Sequence, residues 1–81
     1  MENCMIGQIQ FNGNNPELLK NLMASYGNCN YPFFGKNANG ESVSISIFPD
    51  KIVYVTFQGN GWIRKNYYDE NGYPNGETYE K

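Results

Sequence analysis

Histidine is absent from this 81-residue chain, and few of its other groups could do chemistry at neutral pH. Acid–base and nucleophilic catalysis usually recruit histidine, spaced carboxylates, an activated thiol or a metal. Asp50 falls in a turn beside Pro49, and Asp69-Glu70 is an adjacent pair in a turn-rich segment, so no spaced acid pair is evident. Cys29 follows the C-terminal end of a predicted helix, where the dipole works against a thiolate. Two lone cysteines without histidine cannot complete a Cys/His zinc site. Asp69-Glu70-Asn71-Gly72 offers oxygen ligands but fails the EF-hand pattern, because glycine stands fourth rather than sixth. A glycine-rich phosphate loop of the required spacing is also missing. The residue types point away from an enzyme, and from a resident metal or cofactor.

They point instead to recognition. Gly61 to Gly72 carries the only Trp, the only Arg and a Tyr-Tyr pair. In an extended strand Trp62, Arg64, Asn66 and Tyr68 share one face, with Ile63, Lys65 and Tyr67 on the other. Trp, Tyr and Arg most often dominate binding energy at protein interfaces. The candidate binding surface is Tyr54, Trp62, Arg64, Tyr67 and Tyr68. The plainer expectation is that Trp62 or Ile63 packs beneath a helix. Gly61-Trp62, Tyr67-Tyr68 and Asn71-Gly72 also resemble a repeat unit of choline-binding cell-wall modules, over Gly61 to Gly76 only. That family builds its ligand pockets between successive copies, and here the unit occurs once, so the resemblance assigns no family.

Composition narrows the partner. Seven Tyr, five Phe and one Trp make 16% of the chain, while charged residues make 17%, below the usual quarter. Aromatics at this level mark a folded chain rather than a disordered one. The formal net charge is −2, and the imbalance sits in residues 66–81, where Lys81 faces Asp69, Glu70, Glu77 and Glu80. No basic stripe is available to neutralise phosphates, which argues against nucleic acid. No apolar run is long enough to span a membrane, and the start lacks a signal-peptide pattern, so the expected location is cytoplasmic. The expected function is a non-enzymatic protein-binding module, for example a small phage or mobile-element inhibitor of a host protein. Alternatives are a carbohydrate or cell-wall-binding module stacking sugars on Trp62, a single-stranded nucleic-acid binder, or a homodimer formed through an edge strand.

Elements must position these residues, and one domain over 1–81 is all this length supports. Residues 5–11 read as a first strand. Asn15 can cap a helix, Pro16 suits its first position, and Leu18, Leu19, Leu22, Met23 and Tyr26 form one apolar stripe. Gly27 is expected to end it in the left-handed conformation. Strands follow at 33–36, at 41–48 with Val43, Ile45 and Ile47 alternating with serines, at 52–57 and at 62–68. Residues 77–81 would pair as an edge or fray. Asn-Gly at 12–13, 39–40, 60–61, 71–72 and 75–76 suggests hairpin turns, because both residues tolerate positive φ. The fold class is α+β: a single antiparallel meander of four to five strands with one helix on one face, in the order β-α-β-β-β with an optional last strand. Cys4 and Cys29 read as buried free thiols, with a disulfide between the first strand and the post-helix loop as the alternative.

Overall fold

Asn15 opens the helix as its sequence requires. In the computed structural model, which describes residues 11–29 and 32–81, the Asn15 side chain accepts a hydrogen bond from the Leu18 N–H at 3.2 Å. Pro16 occupies the first turn, and α1 runs Pro16–Tyr26. At its end Gly27 is right-handed (φ −65°, ψ −17°), not left-handed as expected, and its N–H continues the helical pattern to the Met23 carbonyl. Glycine serves a different purpose there: a Cβ would stand 2.9 Å from the Pro49 Cα, so the smallest residue lets the neighbouring turn close on the helix end.

Five strands follow, β1 (Phe33–Lys36), β2 (Ser42–Ile47), β3 (Ile52–Phe57), β4 (Ile63–Tyr68) and β5 (Pro74–Glu80). They form one antiparallel sheet in sequential order, the expected meander with a single helix. The expected first strand at 5–11 lies outside the described residues except for Phe11. The last segment, expected at 77–81 and free to fray, pairs with β4 from Pro74 onward and makes the sheet edge.

Three of the five Asn-Gly pairs form the same hairpin loop. Asn37, Gln58 and Asp69 each donate their N–H to the carbonyl four residues on and accept from the glycine three residues on, at 2.8–3.1 Å. Each loop is therefore three residues long, and Gly40, Gly61 and Gly72 take the positive φ of +81°, +92° and +83°. This is the three-residue hairpin, in which a turn is followed by a left-handed bulge residue, rather than the two-residue type. Asn12-Gly13 and Asn75-Gly76 make no hairpin. The first precedes α1 and the second lies within β5, opposite a break in register between Asn66 and Tyr68.

Cross-strand partners share a face, so the register settles which side the helix covers. Ile47 pairs with Ile52 and Ile52 with Tyr68; one row along, Ile45, Tyr54 and Asn66 align. The apolar stripe of α1 (Leu19, Leu22, Met23) buries Ile45, Ile47 and Ile52, with Phe11, Phe33, Tyr54 and Tyr68 packed around them. Serines 42, 44 and 46 with Val53, Val55 and Phe57 take the other face. Cys29, just past the helix, is disulfide-bonded, so the bridged reading replaces that of a free thiol. The sequence holds one other cysteine, Cys4, which lies outside the described residues.

Candidate functional site

Among the described residues α1 packs on the end of its face that carries Ile45, Ile47 and Ile52. Beyond Tyr54 the same face continues through the row Val43, Thr56, Arg64 and Tyr79, with Trp62 and Lys81 further out. Four of the five candidate residues thus gather on one side: Tyr54, Arg64 and Tyr68 on the strands and Trp62 just before β4. Tyr67 does not join them. It alternates onto the opposite face with Ile63 and Lys65, where Lys65 forms an ion pair with Glu80 at 3.3 Å. Neither Trp62 nor Ile63 packs beneath the helix. Trp62 is 38% exposed, and Ile63 points to the other side.

An aromatic ridge crosses this part of the face. The Phe11 ring stacks on Tyr54 with centroids 4.4 Å apart and planes 19° from parallel, and meets Tyr68 edge-on at 5.6 Å. Such pairs add about 0.5–1.5 kcal/mol beyond area burial, enough to hold the loop before α1 against the sheet. On one side of the ridge lies a cleft of about 710 Å³, floored by Val43, Ile45 and Phe33 and rimmed by Asn12, Asn15 and Asn37. On the other side a shallower hollow of about 460 Å³ is lined by Asn12, Asn14, Arg64, Asn66 and Glu77.

Arg64 dominates the electrostatics of the hollow. Among the described residues its carboxylate partner is Glu77, whose oxygen is 3.9 Å from Nε, beyond hydrogen-bond distance, so no bidentate pair there locks the guanidinium. Hydrogen bonding with the Tyr79 phenol is the largest cause of its raised pKa, ahead of the nearby charges of Glu77 and Glu41. Beside it, Thr56 is wholly buried, and neither its hydroxyl nor Arg64 Nε has a hydrogen-bond partner among the described residues. A buried polar group left unpaired costs about 1–3 kcal/mol. At the outer end the Lys81 ammonium lies 5.7 Å from the centre of the Trp62 ring.

Burial raises the pKa of both Tyr54 and Tyr68; the Asn37 side chain partly opposes this at Tyr54, while the neighbouring Tyr54 phenol adds to the rise at Tyr68. The unfolded chain would release these protons first, near the ordinary value of 10.0. Their contribution to stability is therefore intact below that pH and is lost as pH climbs through it toward the folded values. Spectrophotometric titration should show two phenols ionising later than a free tyrosine, with urea resistance falling over the same alkaline interval. Simple phenol titration at both positions, in the Tyr54→Phe and Tyr68→Phe difference curves, would contradict the packing described.

Sequence reasoning missed Tyr79, Phe11 and Glu77 as neighbours of Arg64. Tyr79 lay in a segment allowed to fray, and its facing of Arg64 depends on the register across the Glu70-Asn71-Gly72 loop. Among the described residues no group of three potential ligands could hold a metal, and no helix is long and apolar enough to cross a membrane. No protein-family model, curated protein or solved structure matches the chain.

Proposed function

We propose that this chain is a non-catalytic protein-binding module that docks its partner on the end of the helix-side face that lies beyond α1. One observation carries this reading: on the part of the face beyond α1, Trp62 and Tyr79 stand exposed and Arg64 lies half-buried at the hollow. An aromatic and arginine cluster next to a concavity is the composition from which binding hot spots are built. Arg64, held by a long ion pair to Glu77 and by the Tyr79 phenol, brings its half-buried guanidinium to the hollow, where an acceptor on the partner could meet it. A small inhibitor of a host protein, carried by a phage or mobile element, is the narrower form of this reading. The disulfide at Cys29 favours an oxidising compartment over the cytoplasm.

The test is affinity capture from the source cell, followed by titration of the recovered partner against single variants. Trp62→Ala and Arg64→Ala are each expected to weaken binding by about 2 kcal/mol or more, roughly 30-fold. Tyr67→Ala, on the far face, is expected to leave affinity unchanged. The reverse pattern would move the interface to the other face and sink the proposal. A second reading, sugar binding, is favoured by the amides of Asn12, Asn14 and Asn66 around the hollow and by the exposed Trp62 ring. Tryptophan fluorescence that stays flat through a glycan and choline titration would eliminate it.

A further inference from the structure

All five Asn-Gly pairs share one dipeptide chemistry, yet the fold places them in different backbone settings. Loss of the side-chain amide begins when the glycine nitrogen attacks the asparagine Cγ. A C–N bond forms, ammonia leaves with the proton released by the glycine nitrogen, and a cyclic imide results. Water then opens the ring at either carbonyl, giving aspartate or isoaspartate. The reaction needs a glycine nitrogen that is free of other bonds and able to shed its proton.

In the three hairpins those requirements fail. The N–H groups of Gly40, Gly61 and Gly72 are bonded to Asn37, Gln58 and Asp69 carbonyls at 3.0, 3.1 and 2.9 Å. Side chains tighten two of these loops further. Asn37 Oδ1 accepts from the Asn39 and Glu41 N–H groups, and Asp69 Oδ1 accepts from those of Asn71 and Tyr73. The Asn60 Oδ1 accepts from the Trp62 N–H at 3.1 Å.

Asn12-Gly13 differs. In that turn it is Asn15 whose N–H reaches the Asn12 carbonyl, at 3.1 Å, and the Gly13 N–H makes no hydrogen bond among the described residues. The Asn12 Oδ1 accepts from the Asn14 N–H at 2.9 Å, the same contact that Asn60 makes with the Trp62 N–H, so what sets Asn12 apart is the unbonded glycine N–H. Asn12 is exposed to water, the co-reactant.

We propose that Asn12-Gly13 is a self-modification site, losing its amide ahead of Asn39, Asn60 and Asn71. The product matters because Asn12 lines both clefts. A carboxylate there adds a negative charge to the hollow that already holds Arg64 and Glu77, and the isoaspartate form lengthens the backbone just before the helix cap. Modification changes the recognition surface without any enzyme.

The experiment ages the intact protein at mildly alkaline pH and maps aspartate and isoaspartate by peptide mass spectrometry. A parallel sample is aged in concentrated urea. One hydrogen bond holding the nucleophile slows the reaction roughly two- to tenfold, so Asn12 is expected to lead the three hairpin asparagines by at least that factor in the folded sample. The lead should vanish in urea, where all the pairs are equally free. Conversion of any hairpin asparagine as fast as Asn12 in the folded protein would overturn the proposal. So would an equal lead for Asn12 in urea, since local sequence rather than the fold would then be the cause.

Discussion

Replacing Gly72 by alanine is expected to destabilise the protein by about 2–5 kcal/mol, a large part of what a domain this small possesses. Two effects add. Gly72 has a φ of +83°, a region in which a Cβ costs about 1–2 kcal/mol. It is also buried, and an added Cβ would fall on the carbonyl oxygen of Pro16 and lie 2.8 Å from the Pro16 Cα. Those atoms belong to the first turn of α1 and cannot yield unless the helix start moves. Overpacking of this kind costs about 1–3 kcal/mol more. The β4–β5 hairpin is thus seated directly on the helix N-terminus, a contact that ties the sheet edge to the element covering the core.

Gly61→Ala supplies the comparison. Its φ is +92°, in the same loop type, but no atom lies within 4 Å of the new Cβ. That variant should lose only the conformational part, about 1–2 kcal/mol. Any stabilisation from restricting the unfolded chain is common to both and cancels in the difference. Urea denaturation of the two variants side by side decides the matter. Equal losses would mean that Gly72 does not touch Pro16 in solution.

Leu19→Ala should cost about 2–5 kcal/mol as well, through a cavity rather than strain. Leu19 is fully buried at the centre of the α1 stripe, against Ile45, Ile47 and Ile52. Among the described residues one helix and one sheet face leave no second layer to collapse into the gap, which places the expected loss toward the upper end of that range. Leu18, one residue earlier and only half-buried at the cleft wall, should tolerate alanine better. Thermal melts of the pair provide the check, and a smaller loss for Leu19 than for Leu18 would show that the helix is rotated from the orientation described. The Leu19 variant also reaches the candidate site indirectly. Loosening α1 frees the Phe11 loop, and with it the ridge against Tyr54.

Much of the architecture was legible in the residues. Asn15, Pro16 and Glu17 before an apolar stripe could only begin a helix, since cap, ring and charge each satisfy an orphan group or the dipole of its first turn. Val43, Ile45 and Ile47 between serines could only be a strand with one buried face. Short loops between consecutive strands then enforced an antiparallel meander. These features act over a few residues, so local spacing carries them.

What the tertiary structure alone decided involves groups far apart in the chain. Strand β3 is apolar on both faces, with Ile52 and Tyr54 on one and Val53, Val55 and Phe57 on the other, so its pattern could not say which face α1 would cover. The pairing of Arg64 with Tyr79, and the stacking of Phe11 on Tyr54, follow from register and from loop closure, each set by hydrogen bonds between distant residues. The same holds for the five Asn-Gly pairs, identical as text, of which three become hairpin loops, one a turn ahead of α1 and one part of a strand. A dipeptide can permit a turn, but only the strands on either side of it, once paired, can require one.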